Sequence, residues 1–279
     1  MPISQAGVIR QSSTKQRYTR KSLVINRSLA KNLKDTDVFR NLYPMPTLKD
    51  IQSHMRSLAN PTIAEHSKRF FKTGKGEYAE GDKCLGVRVP VTRGLAKQYQ
   101  DTPLTVVFKL LESEFHEERQ LSLIMMVNRC KNGDPKVHKT IYDHYLANTH
   151  WVNNWDLVDC SAHSIVGGYL MNRNRRPLYK LAKSDLLWDR RISMVATWIF
   201  IRENDLDDVI KLATIHLKDT HDLMHKAVGW MLRELGKKNL DLETKFLDEH
   251  YREMPRTMLR YAIEKYPEKD RQAYLKGLR

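Results

Sequence analysis

From Pro46 onward the apolar residues recur at helical spacing in a succession of short segments, and no stretch offers several strands of alternating pattern. The segments run over 47–58, 61–72, 90–99, 103–112, 116–131, 135–148, 154–172, 177–183, 186–202, 205–218, 221–238, 241–252 and 255–265, with a last one after Pro267. Pro61, Pro90, Pro103, Pro135, Pro177 and Pro267 fall near first turns, where a missing N–H costs nothing. Asp101, Asp134, Ser184, Asp205 and Asp241 are placed as N-caps. The helix pairs recur at a pitch that predicts an all-α fold, an α-α superhelix or solenoid. The one break is Thr73 to Val89, with Gly74, Gly76, Gly81 and Gly86, which reads as a long loop or small hairpin. Loops beyond about 12 residues in compact domains are often functional.

Charge narrows the partners. The chain carries a net +15 over 279 residues, which favours a polyanion, nucleic acid before membrane, since no strongly basic amphipathic anchor is evident. Residues 1–44 hold +7 of that excess, nine Lys or Arg against Asp35 and Asp37, and lack any sustained period. They read as a disordered basic extension: a DNA-tethering tail, an organelle transit peptide in a eukaryote, or a mis-set start. Residues 45–279 form the folded domain. The longest apolar run, Val195 to Ile201, is far below the ~18 residues needed to span a bilayer, so a soluble protein is expected; the expected location is cytoplasmic and nucleoid-associated, and the expected state a monomer. Cys84, Cys130 and Cys160 are too few and scattered for a disulfide framework or a zinc set and read as free thiols.

Two helices carry chemistry. In the run NWDLVDCSAHSIVGGYL, Trp155 and Asp159 lie four residues apart and share a face. Val158, Ala162, Ile165 and Tyr169 form the buried stripe, so Asp159 sits on its shoulder beside an indole. A partly desolvated carboxylate is costly unless it is paired or used; the plain alternative is an Asp bonded to a neighbouring helix end or Arg. In the run HKAVGWMLREL, Met224, Val228, Met231 and Leu235 make the stripe. Trp230 points roughly 130° away, toward Lys226, Arg233 and Lys237, by the ~100° step per residue. An indole among cations suits a surface that meets phosphate and sugar. The alternative is a rim Trp covered by Lys and Arg stems.

Together the runs KRFFKTGKGEYAEGDKCLGVRVP, NWDLVDCSAHSI, LLWDRRISMVATW, HKAVGWMLREL and MPRTMLRYAIEKY resemble the AlkD-like family of DNA alkylation repair glycosylases. The resemblance covers roughly residues 46–275 and implies HEAT-like helical repeats. It places the catalytic Asp at Asp159, the active-site Trp residues at Trp155 and Trp230, and the backbone-gripping Arg at Arg191. Arg190, Lys226, Arg233, Lys237, Arg88 and Phe70 complete the expected DNA contacts. Two positions depart from the best-known members: Arg88 replaces a polar uncharged side chain, and Phe70 a Tyr. The implied partner is double-stranded DNA containing alkylated bases, without metal or cofactor. The implied reaction hydrolyses the N-glycosidic bond of cationic N3- or N7-alkylpurines with the lesion still stacked. Such a base leaves unaided, so one carboxylate suffices to stabilise the oxocarbenium sugar and orient water, with no general acid. The competing readings are a non-catalytic relative that binds branched or distorted DNA and a repeat scaffold that binds proteins.

Several motifs are set aside. His221 and His225 have metal-ligand spacing but no HExxH pattern, and read as solvated or capping. Gly74-Lys75-Gly76 lacks the rest of a P-loop, and Cys160 near His163 lacks a third member. Glu117-Glu118-Arg119 reads as an ordinary charged face over an apolar stripe.

Overall fold

Every periodic segment becomes a helix in the computed structural model, which describes residues 45–279. The basic extension expected over residues 1–44 lies outside the described residues. The helices are α1 (Leu48–Ser57), α2 (Pro61–Phe71), α3 (Val89–Gln98), α4 (Leu104–Leu111), α5 (His116–Asn132) and α6 (Pro135–Ala147). Then comes α7 (Trp155–Ala162), which runs on through a π turn at His163–Gly167 to Gly168–Leu170. There follow α8 (Arg176–Ala182), α9 (Leu187–Val195), α10 (Trp198–Arg202), α11 (Asp207–Ile215), α12 (Asp222–Gly236), α13 (Leu240–His250), α14 (Arg256–Ala262) and α15 (Glu268–Lys276). Among the described residues none of these helices is long and apolar enough to cross a membrane.

The starts follow local chemistry. Thr47 and Asp50 form a capping box on α1, Asn60 caps α2 ahead of Pro61, and Asp134 caps α6. Four expected caps are corrected: α9 starts after Leu186 without a side-chain cap, so Ser184, which accepts from the Leu186 N–H at 3.2 Å, lies ahead of it. Asp205 instead receives Arg175 at 2.5 Å, Asn239 rather than Asp241 caps α13, and α4 starts at Pro103 without a side-chain cap. The single segment expected over 186–202 divides at Ala196–Thr197 into α9 and α10.

Inner helices stack in order, α5 on α7, α7 on α9, α9 on α12, and α12 on α14. Helices α4 and α6 pack on α5, α8 on α9, and α11 and α13 on α12. Each layer therefore touches its neighbours along the stack, the arrangement of an α-α superhelix of helical repeats. The expected stripes are buried: Val158, Ala162, Ile165, Met224, Val228, Met231 and Leu235 are all 0% exposed. Tyr169 is only half-buried, because the wider π turn shifts the register of everything after it.

Two glycines set how closely layers approach. A Cβ at Gly167 would lie 2.1 Å from the Ala196 carbonyl oxygen, and one at Gly229 2.4 Å from that of Met258. Gly94, on α3, faces open space. Gly229→Ala should therefore lose about 1–3 kcal/mol by overpacking, whereas Gly94→Ala should be neutral or gain about 0.5–1 kcal/mol. Denaturant unfolding of the two variants checks this contrast.

Candidate active site

Asn154 fixes the start of α7. It is fully buried, accepts from the Trp155 N–H at 2.8 Å and donates to the Phe71 carbonyl at 3.1 Å. That bond draws Trp155 against the end of α2, edge-on to Phe70 at 5.4 Å and tilted on Phe71 at 6.1 Å. Asp159 follows one turn later and meets Arg191 of α9 in a two-pronged ion pair. The guanidinium donates through Nε to Oδ1 at 3.0 Å and through Nη2 to Oδ2 at 2.9 Å. Its Nη1 reaches the Leu223 carbonyl in the first turn of α12 at 2.5 Å. Arg191 is buried, and the Asp159 side chain keeps 20% exposure. Burial raises the Asp159 pKa above the ordinary value; Arg191 opposes the rise and Asp156 adds to it.

Asp159 and Trp230 line one cleft of about 1000 Å³ between α3, α5, α7, α10 and α12. Arg93, Lys131 and Arg202 stand on its walls, all exposed. Among the described residues none of the three has a carboxylate partner; Arg202 lies over the Trp198 ring at 5.5 Å.

The cations expected from sequence are placed differently. Arg190 donates to Asp219 at 2.7 Å and to the Ser184 and Asp185 carbonyls. Lys226 pairs with Asp222 at 2.7 Å, Lys237 with Glu234 at 2.7 Å, and Arg233 with Glu264. Arg88 is exposed and unpaired among the described residues, and Phe70 is 62% exposed. Thus Asp159 and Trp230 meet in the cleft and Arg191 of α9 holds Asp159 there, whereas Trp155 packs on Phe70 and Phe71 and does not line it; among the described residues the cleft cations without a carboxylate partner are Arg93, Lys131 and Arg202. Sequence reasoning missed those three because ion pairing across layers leaves no trace in local spacing.

A second omission lies beneath the site. The run Glu117-Glu118-Arg119 on α5, expected as an ordinary charged face over an apolar stripe, is buried together with its neighbours: His116, Glu117, Glu118, Arg119 and Gln120 are all below 5% exposed. The helix is enclosed by α3, α4, α6 and α7, and each charge has an internal partner. Glu117 accepts from the Leu85 and Gly86 N–H groups at 2.8 and 2.7 Å, which pins the end of the 73–89 loop. Glu118 receives Arg56 at 2.7 Å, and Arg119 donates to Asp82 at 2.6 Å. His116 meets Asp156 at 2.9 Å and stacks on Phe71 at 4.1 Å, and Gln120 donates to the same Asp156 oxygen at 2.9 Å. Burial alone would lower the His116 pKa, but Asp156 and Asp82 outweigh it and hold the imidazolium up to about 9.

His221 caps α12, accepting from the Leu223 N–H at 3.1 Å, as one expected reading had it. Among the described residues no three His, Cys, Asp or Glu side chains converge as a metal set requires. The three cysteines are free thiols, and burial pushes Cys84 and Cys130 up to about 12 and Cys160 in the same direction.

A family model described as DNA alkylation repair enzyme matches residues 51–266, and the chain belongs to that family. No curated protein sequence matches it. A solved structure from Enterococcus faecalis, described as a predicted DNA alkylation repair enzyme, is similar in fold. It superposes with a TM-score of 0.58 at 15% identity, over 75% of this chain and 96% of its own.

The His116–Asp156 contact predicts a pH dependence. A histidine raised from 6.5 to about 9 on folding contributes stability that is fully present below pH 6.5 and is lost as pH rises through about 9. The melting-temperature advantage of wild type over His116→Gln should shrink across that window. Glu243, raised to about 8 by burial, titrates in both proteins and cancels in the difference.

Proposed function

We propose that residues 45–279 form a monofunctional DNA glycosylase, a hydrolase that releases cationic N3- or N7-alkylated purines from duplex DNA. The observation that carries this reading is a weakly solvated carboxylate, Asp159, sharing a cleft with Trp230 and with three cations that have no carboxylate partner among the described residues. Arg93, Lys131 and Arg202 suit phosphates of the DNA backbone, which fix position without reading sequence. Trp155 and Trp230 offer ring faces to the sugar, where they favour developing positive charge.

Cleavage of the N-glycosidic bond leaves positive charge on the sugar as the base departs with the bonding electrons. Asp159 stabilises that cation and accepts a proton from the attacking water. Two of the roughly four lone-pair sites on its carboxylate are used by Arg191, leaving others for water. Resemblance gave Arg191 a phosphate to grip. Its buried guanidinium instead suits holding Asp159 oriented and ionised against the desolvation that raises its pKa.

The deciding experiment is base release from methylated duplex DNA. Asp159→Asn should lower release at least about 100-fold, roughly 3 kcal/mol of lost transition-state stabilisation. Release near the wild-type rate would mean another carboxylate does the work, and none from wild type would favour a non-catalytic binder. The acid limb of the wild-type pH–rate profile should lie above the ordinary Asp value of 3.8, because activity needs the ionised form of a group whose pKa is raised. Neutral lesions such as uracil or hypoxanthine should be left untouched.

DNA binding supplies a separate measurement. Arg93→Ala and Lys131→Ala should each flatten the plot of log affinity against log salt by about 0.9, one phosphate contact apiece. Lys226→Ala and Lys237→Ala, whose cations are already paired, should leave that slope unchanged.

A further inference from the structure

One polar group of the Asp159 cleft is left unsatisfied by the described residues. Gln120 of α5 lines the same cleft as Asp159 and is 4% exposed. Its Nε2 donates to Asp156 Oδ2 at 2.9 Å, and that bond decides which way the amide faces, because turning it over would set oxygen against a carboxylate. Oε1 is thereby left as a buried acceptor without a hydrogen-bond partner. Asp156 Oδ1, in the same network, is buried and unpartnered too. Buried acceptors in this position call for a donor from outside the chain.

The charges around Gln120 are otherwise engaged. The Asp156 oxygen that it reaches also takes His116 Nε2 at 2.9 Å, so the imidazolium fixes the carboxylate that fixes the amide. His116 Nδ1 faces Asp82 Oδ2 at 3.8 Å, and Asp82 does not line the cleft. Glu117, next along α5, accepts from the Leu85 and Gly86 N–H groups with one oxygen each. Asp156 and Asp159 are three residues apart on α7, a spacing that puts Cβ atoms about 5–6 Å from each other. A ligand for Gln120 Oε1 must therefore bring its own hydrogen, must be small enough to sit between α5 and α7, and lies close to the Asp159 carboxylate. Water meets all three conditions.

We propose that Gln120 is a catalytic residue that holds the attacking water for Asp159, and that Asp156 and His116 are positioning residues acting through its amide. The inference rests on the glycosylase reading and adds what aims the nucleophile. The water gives one hydrogen bond to Gln120 Oε1 and the other to a lone pair of Asp159 that Arg191 leaves free, which turns its own lone pair toward the sugar. Its oxygen bonds to C1′ as the N-glycosidic bond breaks. The bonding electrons leave with the cationic base and neutralise it, and the water's proton passes to Asp159. Gln120 takes no proton. The base need not leave the helix stack, because only the sugar and the water have to meet.

The test follows release of 7-methylguanine from a duplex in a single turnover at saturating full-length protein, in buffer containing methanol. Methanol competes with water for C1′, and its product is a strand with a methyl glycoside in place of the abasic sugar, told apart by mass. Gln120→Met keeps the reach of the side chain and removes the acceptor. It should lower the release rate constant at least about tenfold and raise the methanol-to-water product ratio at least about threefold, since the site no longer selects its nucleophile. The ratio is read only from molecules that react, so partial unfolding or weaker DNA binding does not alter it. Asp156→Asn, which keeps Gln120 but frees its amide to turn, should move both quantities the same way by a smaller factor. Where Gln120→Met reacts too slowly to analyse, the ratio for Asp156→Asn decides, and an unchanged value there counts against the proposal. Release by Gln120→Met within about twofold of wild type, or slower release at the wild-type product ratio, overturns the proposal and leaves the glycosylase reading standing. No release by the wild-type chain removes both.

Discussion

One guanidinium ties the site together. Arg191 stands on α9, grips Asp159 on α7 with two bonds and reaches the Leu223 carbonyl at the start of α12. It therefore links three consecutive layers beside the cleft that Asp159 and Trp230 line. In a stack whose layers touch only their neighbours, relative placement is otherwise set by apolar packing, which tolerates sliding more readily than a charged fork does. The link has a cost. Removing one partner of a buried pair typically loses about 3–5 kcal/mol, because the other charge stays behind without compensation. On the proposed reading, stability and chemistry are thus invested in the same contact, and a substitution there changes both.

Beneath it, α5 carries a run of charge that no solvated helix would need to bury. His116, Glu117, Glu118 and Arg119 each lock a different neighbour: Asp156 on α7, the N–H groups of Leu85 and Gly86, Arg56 on α1, and Asp82 in the loop. Gly86 shows how tight that lock is. Its φ is +77°, and an added Cβ would sit 2.2 Å from the Asn60 carbonyl oxygen, so the loop enters α3 by a path open only to glycine. The later part of the loop is anchored at Asp82, Leu85 and Gly86, and it delivers Arg88 and Val89 to the edge of the cleft.

The helices were legible because period, proline and stop signals are local, and a stripe such as Met224, Val228, Met231 and Leu235 repeats the same geometry at every turn. Asp159 was legible for a related reason: its angle on the helix placed it at the margin of the buried face. Partners were not legible. Lys226 and Arg233 look like free cations on a helical wheel, yet Asp222 and Glu264 neutralise them, one from the same helix and one from the segment just after α14. The α5 run reads as solvated for the same reason, since whether a charge faces water is decided by elements far away in sequence. Family resemblance, not spacing, grouped Trp155, Asp159, Arg191 and Trp230 in one expected site, of which the structure brings Asp159 together with Arg191 and with Trp230.

The split between paired and unpaired cations bears on how the molecule is seen from a distance. Beyond a Debye length of about 8 Å in physiological salt, paired surface charges present little more than weak dipoles. Arg93, Lys131 and Arg202 share one recess with low-dielectric walls, where field lines are focused rather than spread. An approaching polyanion would be steered by those three, whose fields add in one recess, more than by the neutralised pairs such as Lys226–Asp222, and small anions would condense there in its absence. Net charge is consequently a poor descriptor of this surface: one acid moved into the recess would alter long-range behaviour more than several exchanged among the pairs outside.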